Sequence, residues 1–156
     1  MGGCLSYVRA QRLQRLSYKN TSCYVPRVTR AKCVRVYDGD TVHLAYFLKG
    51  HGPVRSSCRL AGIDTAELRG TTGAARVMAL VAKSWVQAAI EDKLVYVSVK
   101  GFDKYGRLLA DLRVRPRGPT ISQHLLTRHL AVAYDGKTKA NTDWSAMAAH
   151  AGVRVT

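Results

Sequence analysis

The sequence has few acidic residues. Its 156 residues include 10 Asp and Glu against 25 Lys and Arg, which gives a formal net charge of +15. Small soluble domains typically carry a net charge of about 2–8 in magnitude. Such an excess says little about the fold, but it favours polyanionic partners such as nucleic acid or an anionic membrane surface. A basic surface that serves only solubility is the alternative.

Long apolar runs are also missing, because no stretch approaches the roughly 18 residues that would span a bilayer. The N-terminus lacks the apolar segment of a secretory signal, so we expect a cytoplasmic protein. The four cysteines form no CxxC pair and no zinc-like pattern with histidine. We therefore interpret Cys33 and Cys58 as small buried hydrophobic residues in a reducing compartment, and a disulfide is left open.

The opening residues, MGGCLS, fit the N-myristoylation pattern at Gly2, and Cys4 lies where palmitoylation is common. Basic residues interleaved with Leu and Val follow them. One myristoyl chain binds a membrane only marginally, whereas a second acyl chain or several basic residues make the anchor stable. We therefore predict a basic leader over residues 1–28, acylated at Gly2 and Cys4 and held at the cytoplasmic face of a membrane. A leader with a chance match to the pattern is the alternative.

The remaining residues, 29–156, show strand and helix patterns in turn. Alternating or β-branched stretches predict five strands, at residues 31–39, 40–48, 54–63, 93–100 and 107–114. Helical spacing predicts three helices, at about residues 73–90, 120–131 and 141–152. In the first helix, Val77, Leu80 and Val81 are predicted to face the core. This order predicts an α+β, mainly β OB-fold, a partly open five-stranded barrel that commonly binds nucleic acids; an α+β sandwich is the alternative.

Four of the ten acidic residues lie between positions 38 and 67, in the segments YDGDT and GIDTAE. Each segment follows a predicted strand, so the carboxylates of Asp38, Asp40, Asp64 and Glu67 are expected to meet at one end of the barrel. Their mutual repulsion would be relieved by a hard divalent cation, and oxygen-only ligands favour Mg²⁺ or Ca²⁺ over Zn²⁺. For the DGD segment taken alone, an Asp-Gly hairpin turn is the alternative.

Three motifs in order, DGDT, RLAGIDTAE and DKYGR, resemble the thermonuclease or staphylococcal-nuclease-like family over about residues 31–139. The resemblance implies an OB-fold and a Ca²⁺-dependent hydrolysis of phosphodiester bonds in DNA and RNA with little sequence specificity. Spacing alone does not separate Ca²⁺ from Mg²⁺, which is kept as the alternative. We expect a monomeric nuclease. The alternatives are a non-catalytic OB-fold module that binds nucleic acid or a protein partner, and an adaptor at a membrane surface.

The resemblance also implies a role for each residue at the matching motif positions. Asp40 and Asp64 resemble the direct cation ligands, together with the backbone carbonyl of Thr65. Asp38 resembles the carboxylate that holds metal-bound water.

The catalytic group is implied in the same way. Glu67 resembles the general base, and Arg59 and Arg107 resemble the arginines that bind phosphate. Three further residues resemble the lining of the nucleotide pocket, namely Lys104, Tyr105 and Tyr134.

The sequence departs from the family pattern at three points, one of which is the short loop LRGTTG between Glu67 and the first predicted helix. Ala66 stands where the family usually has proline, which would stiffen the loop that carries Glu67. Gly136 stands near the place of a second expected tyrosine. The departure at Ala66 bears on the rate of the reaction more than on its chemistry.

Overall fold

The computed structural model describes residues 3–135 and 142–155, with residues 3–8 described by their backbone alone. In chain order its elements are α1 (Gly3–Gln14), β1 (Arg30–Val36), β2 (Thr41–Leu48), β3 (Gly52–Leu60), β4 (Ile63–Asp64), α2 (Gly73–Ile90), β5 (Leu94–Phe102), β6 (Leu108–Arg113), α3 (Ile121–Thr127), β7 (Val132–Ala133) and α4 (Trp144–His150).

Five strands form a closed barrel in the order β1-β2-β3-β6-β5. Neighbouring strands are antiparallel except β3 and β6, which pair in parallel with Cys58 opposite Leu108. Pairing of β1 with β5, from Arg30 opposite Tyr96 to Lys32 opposite Leu94, closes the barrel that the sequence had predicted as partly open. The predicted mainly β OB-fold with its three helices is confirmed, and α1 adds a fourth helix in the described part of the leader.

The barrel interior is filled by the inward-facing residues that strand alternation predicts. Cys33 and Cys58 are fully buried there and carry free thiols, as the sequence analysis predicted. Burial raises the pKa of Cys33 to about 11 and that of Cys58 to about 12. Both thiols are therefore protonated at neutral pH and act as packing groups.

Helix α2 has the predicted bounds, but its predicted core-facing side is only partly confirmed: Val81 packs against the core, whereas Leu80 does not. Leu80 is 47% exposed. The residues that face the barrel are Met78, Ala79, Ala82, Val86 and Ile90. The two alanines in this set let the helix backbone come close to the barrel, and this close approach decides which side is buried.

Two caps fix the ends of the later helices. Thr120 and Gln123 form the predicted capping box at the start of α3. The Ser122 hydroxyl donates to the carbonyl of Ala61 at 2.8 Å and so ties α3 to the segment that follows β3. At the end of α4, Gly152 adopts a φ of +67°, the left-handed conformation of a helix stop.

The predicted leader contains α1 and a long irregular segment. Side chains described between residues 9 and 25 are exposed, whereas Pro26 and Val28 are buried. Gly2 and Gly136 lie outside the described residues. Cys4 lies within α1, in the part of the helix that is described by its backbone alone. No helix in the described ranges is long and apolar enough to cross a membrane. The lipidation of the leader and its boundary at residue 28 stay predictions.

Candidate active site

A cavity of about 980 Å³ opens at one end of the barrel. Its walls come from the β1–β2 turn, the segment after β3, the β5–β6 turn and the residues after β7. Every predicted site residue of the barrel domain lines it, namely Asp38, Asp40, Arg59, Asp64, Thr65, Glu67, Lys104, Tyr105, Arg107 and Tyr134. The fold therefore brings together groups that are up to about ninety-six positions apart, from residue 38 to residue 134.

The DGD segment forms a tight turn, as its alternative interpretation predicted, and its carboxylates nevertheless line the cavity. The backbone N–H groups of Tyr37 and Asp38 donate to the carbonyl of Thr41 at 2.9 and 3.0 Å. The carbonyl of Asp40 accepts from the N–H of Leu60 at 2.8 Å, which ties the turn to the end of β3. The β1–β2 turn is thus also part of the candidate active site.

Gly39 is required at this turn by close packing. A Cβ atom at this position would lie 2.9 Å from the Cβ of Ala82 and 3.0 Å from the Oγ1 of Thr65. Because those two atoms belong to α2 and to the segment after β4, the turn is seated against both. This contact sets how deep the carboxylates of Asp38 and Asp40 lie in the cavity.

Arg59, in β3, is the central charged group of the cavity. Its Nη1 donates to Oδ2 of Asp40 at 2.5 Å, and its Nη2 donates to Oδ1 of Asp64 at 2.7 Å. Nη2 also donates to the carbonyl of Ile63 at 3.1 Å. Burial alone would lower the pKa of Arg59, but the neighbouring charges of Asp40 and Asp64 raise it. Arg59 is therefore a fixed positive charge that bridges the two predicted cation ligands.

Short pairing between β4 and β7 positions the far wall of the cavity. Asp64 lies opposite Val132, and the N–H of Tyr134 donates to the carbonyl of Gly62 at 3.0 Å. As a result, the guanidinium carbon of Arg59 lies 5.5 Å from the ring centroid of Tyr134, within cation–π range. The predicted nucleotide-pocket tyrosine is thus next to a predicted phosphate-binding arginine.

Asp103 orients Arg107, and sequence reasoning missed it. Its Oδ1 accepts from the N–H groups of Tyr105 and Arg107, each at 2.9 Å, while its Oδ2 accepts from Nε of Arg107 at 2.6 Å. Burial would raise the pKa of Asp103, but these hydrogen bonds from Arg107 and Tyr105 hold it below its usual value. An Asp three residues before Gly106, which has a φ of +77°, was the available signal for this turn.

The Nη1 atom of Arg107 connects the β5–β6 turn to the start of β2 on the other side of the cavity. Its Nη1 donates to Oγ1 of Thr41 at 3.3 Å, and that hydroxyl donates to Oδ1 of Asp40 at 2.9 Å. The ring centroid of Tyr105 lies 5.4 Å from the guanidinium carbon of Arg107 and 5.1 Å from Nζ of Lys104. The DKYGR turn therefore presents one aromatic face and two positive charges to the cavity.

Glu67 lies exposed at the rim, directly after buried Ala66. The Thr71 hydroxyl donates to the carbonyl of Glu67, and Nη1 of Arg76 donates to the carbonyl of Leu68 at 3.2 Å. These bonds, from Thr71 just before α2 and from Arg76 within it, hold the backbone of the loop that lacks the family's proline. The loop is thus restrained by side-chain hydrogen bonds at positions that sequence reasoning did not single out.

Asp38 has a buried carboxylate oxygen, Oδ1, that no hydrogen bond stabilises among the described residues. Burial raises its pKa, and the charge of Asp40 raises it further. A buried acceptor without a donor is costly, so this oxygen is a position where an additional positive group would be stabilising.

The described residues contain no ready-made cluster of three His, Cys, Asp or Glu side chains placed to hold a metal ion. Asp40 and Asp64 are instead bridged by Arg59. Two features nonetheless fit a hard cation: the oxygen-only donor set and the orphaned oxygen of Asp38.

Two further residues of the cavity were missed. Tyr37 lines it beside Asp38, and the guanidinium carbon of Arg69 lies 6.0 Å from the Tyr37 ring centroid. Both residues flank predicted motifs directly, so proximity in sequence was the available signal.

A family model described as staphylococcal nuclease homologue matches residues 57–151. The match includes Arg59, Asp64, Glu67 and Arg107, whereas Asp38 and Asp40 precede it. The chain belongs to this family, which agrees with the closed OB-type barrel and points to nuclease chemistry and nucleic-acid binding. A search of the curated proteins gave no match.

Proposed function

We propose that this chain is a nuclease that hydrolyses the phosphodiester bonds of DNA and RNA with little sequence specificity, as a monomer, and that it requires a divalent cation, Ca²⁺ before Mg²⁺. The observation that carries the proposal is the convergence of two arginines and four carboxylates on one cavity. Arginines are common in so basic a chain, whereas acidic residues are scarce. Their meeting at one end of an OB-fold barrel supports the family's chemistry.

The carboxylates of Asp40 and Asp64, with the backbone carbonyl of Thr65, would hold the cation. When bound there, a hard divalent cation polarises a phosphoryl oxygen and orients water. The buried oxygen of Asp38 would gain a positive neighbour. The two carboxylates that now neutralise Arg59 would share their charge with the cation, which would leave Arg59 more available to phosphate.

The remaining chemistry belongs to side chains of the cavity. Glu67, at the solvent-exposed rim, would accept a proton from the attacking water. Arg59 and Arg107 would donate to the phosphate oxygens, where a planar guanidinium makes two parallel hydrogen bonds that an ammonium cannot. Donors of this kind matter most where negative charge accumulates in the transition state.

The direct test is cleavage of plasmid and single-stranded DNA and of RNA by the full chain with Ca²⁺, with Mg²⁺ and with chelator. An Asp40→Ala variant removes one predicted ligand. Asp92→Asn is the matched control, because Asp92 is an exposed acid that pairs with Lys32 away from the cavity. Cation-dependent cleavage that is lost in Asp40→Ala and kept in Asp92→Asn is expected. Cleavage that persists in chelator would refute the requirement for a cation.

A second candidate function is a non-catalytic module that binds nucleic acid. The observation that favours it is the pairing of Arg59, whose two terminal nitrogens are both bound by carboxylates of the predicted cation site. If this pairing persists with substrate present, Arg59 is not available to phosphate. Nucleic-acid binding without cleavage under any cation would select this function.

We also propose that the leader tethers the domain to an anionic membrane surface through acylation at Gly2 and Cys4. The support is the motif, together with the exposed basic residues of α1 and of the segment after it. A Gly2→Ala variant, expressed in cells that acylate proteins, should move from the membrane to the soluble fraction. Unchanged fractionation would refute the tether.

A further inference from the structure

The outward side of β5 lies on the part of the barrel wall farthest from strands β2 and β3. In the strand order β1-β2-β3-β6-β5, strand β5 pairs with β1 and β6 but with neither β2 nor β3. The cavity lies at the β2–β3 pair, where Thr41 and Arg59 are opposite each other and both line it. In a closed barrel of five strands, the outward side of β5 therefore points away from that pair. We call it the rear face, together with the start of β1, the end of β6 and residues 114–119.

Three side chains form a row across the rear face. Arg30 of β1 lies opposite Tyr96 of β5, and Tyr96 lies opposite Arg113 of β6. Residues that are directly opposite in antiparallel strands project to the same side of the sheet. Their neighbours Val95 and Leu112 are buried inside the barrel, so the row projects outward. Two guanidinium groups thus flank one aromatic ring on the rear face.

The turn after β6 adds two more arginines. Residues 113–119 read RVRPRGP. The N–H of Gly118 donates to the carbonyl of Arg115 at 3.3 Å and closes the turn, and its two prolines restrict the backbone. Arg115 and Arg117 are exposed, and Val114 is 48% exposed. The turn therefore presents two guanidinium groups and one apolar side chain directly after the row.

The acidic residues on or beside the rear face are already paired. Asp92, just before β5, pairs with Lys32 at 3.0 Å, and Asp111 on β6 pairs with Lys100 at 3.1 Å. Within the described ranges, the arginines of the rear face and of the segment that leads into it form no ion pair, namely Arg27, Arg30, Arg113, Arg115 and Arg117. After the paired charges are discounted, the rear face keeps a positive charge that an anionic partner would neutralise.

The leader joins the barrel at the rear face. The carbonyl of Thr29 accepts from the N–H of Val97 on β5 at 3.0 Å, so the chain that enters β1 runs beside β5. Pro26 and Val28 are buried, whereas Arg27 between them is exposed. The leader is therefore fixed to the barrel from residue 26 onward. A leader held at a membrane would bring the rear face toward that membrane.

The contents of the rear face favour lipid over nucleic acid. The Nη2 of Arg30 donates to the hydroxyl of Tyr96 at 2.6 Å, and the guanidinium carbon lies 4.7 Å from the ring centroid. A base cannot stack on the side of the ring that Arg30 covers. Leu94, two residues earlier on the same side of β5, is 67% exposed. Apolar side chains among basic ones are typical of surfaces that bind the headgroup region of an anionic bilayer.

We propose that the rear face docks on anionic lipid headgroups and holds the domain with its β2–β3 side turned away from the membrane. The arginines would contact the lipid phosphates, while Leu94 and Val114 would enter the headgroup region. The inference rests on the proposed tether for the membrane as partner, and it adds a contact made by the folded domain itself. A polymer in the surrounding solution would then reach the cavity without passing between the protein and the bilayer.

The test is sedimentation of the full chain with lipid vesicles, using protein made in cells that do not acylate it. The folded domain is thereby tested apart from any acyl group. Vesicles of phosphatidylcholine alone are compared with vesicles of phosphatidylcholine and phosphatidylserine. We expect binding to the mixed vesicles only, and weaker binding as the salt concentration rises, because salt screens exposed charges.

An Arg115→Gln/Arg117→Gln variant removes two charges from the turn. A basic residue near an anionic leaflet strengthens binding about fivefold, so this variant should bind the mixed vesicles about tenfold more weakly or worse. The matched control is Arg35→Gln/Arg55→Gln, which removes two exposed arginines from the outer face of β1–β3. It should bind the vesicles nearly as the wild type does. Thermal melts of both variants check that the fold is intact.

Equal losses in the two variants would overturn the inference, because the effect would then be one of total charge. Equal binding of the wild type to the two kinds of vesicle would also overturn it. If Arg115→Gln/Arg117→Gln weakens binding of a single-stranded oligonucleotide by the same factor as binding of vesicles, the rear face is a nucleic-acid surface and the assignment to lipid fails. If only this variant leaves the vesicles while Gly2→Ala does not change fractionation in cells, the proposed acylation fails and the docking face stands.

Discussion

The cavity and the outer face of β1–β3 share strand β3 but arrange their arginines in opposite ways. In the cavity, Arg59 and Arg107 are held by carboxylates at 2.5–2.7 Å. On the face, Arg35 and Arg55 have no such partner among the described residues. Paired guanidinium groups are fixed in direction, whereas unpaired ones attract a polyanion over longer distances and are screened by salt. The comparison separates positions built for directed chemistry from positions built for capture.

Among the substitutions that test this comparison, Glu67→Gln is expected to change the cleavage rate most. Glu67→Gln removes the proposed base and leaves the arginines in place. Loss of general-base catalysis typically costs about 10²–10⁴ in rate, so the rate constant for cleavage should fall by that factor while the dissociation constant for single-stranded DNA stays nearly unchanged. Single-turnover cleavage and anisotropy measure the two quantities. Undiminished cleavage would exclude Glu67 as the base.

Arg107→Lys keeps the charge in the cavity but loses the planar donor. We expect the rate to fall by about 10²–10³, the typical cost of removing one donor to a developing oxyanion. Asp103→Asn should cost less, because Arg107 keeps its other contacts and loses only the carboxylate that orients it. The ratio of the two rates tests this order. A larger loss for Asp103→Asn would mean that Asp103 itself contacts the substrate.

Gly39→Ala should disturb the packing that seats the β1–β2 turn. Its new Cβ would meet the Ala82 Cβ at 2.9 Å, and overpacking of this kind typically lowers the free energy of unfolding by about 1–3 kcal/mol. Gly118→Ala is the matched control, since its nearest neighbour would lie at an ordinary 3.5 Å. Urea unfolding of the two variants gives the comparison. Equal stabilities would show that the turn is not held by this contact.

The smallest effect concerns the outer face of β1–β3 alone. Each phosphate contact with a single strand contributes about 0.7 to the slope of log affinity against log salt concentration. Arg35→Gln should therefore flatten the slope by about 0.7 for a long single strand and leave cleavage of a very short one unchanged. Anisotropy titrations across a series of salt concentrations measure it. An unchanged slope would remove Arg35 from the contact set.

The barrel and the positions of its helices could be predicted from sequence because alternation, helical spacing and turn residues are local properties. The full buried face of α2 could not be predicted from such local properties. Val77, Leu80 and Val81 are as apolar as the residues that face the barrel, and the choice depends on how closely Ala82 can approach Gly39. That distance is a property of two segments more than forty positions apart, residues 39 and 82.

The candidate active site likewise combines features that local sequence patterns predict with features that they do not. Motif order predicted which residues meet, since each lies at a strand end or in a turn. The pairing of Arg59 with both Asp40 and Asp64 depends on the register of β2 against β3 and on the short β4–β7 pair, which no local pattern specifies. The role of Asp103 could have been predicted from the sequence, because an Asp before a Gly-containing turn commonly accepts backbone hydrogen bonds.

The parallel pairing of β3 with β6 has a consequence for when the cavity first exists. Residues 58–60 lie beside residues 108–110, so Arg59 and Arg107 cannot face the same space until the chain has been synthesised through β6. Contacts between such distant segments form late in folding, because a long loop must close first. A nascent chain therefore emerges without a complete cavity. The nuclease proposed above would therefore stay inert toward the messenger RNA from which it is being translated until most of its own synthesis is over.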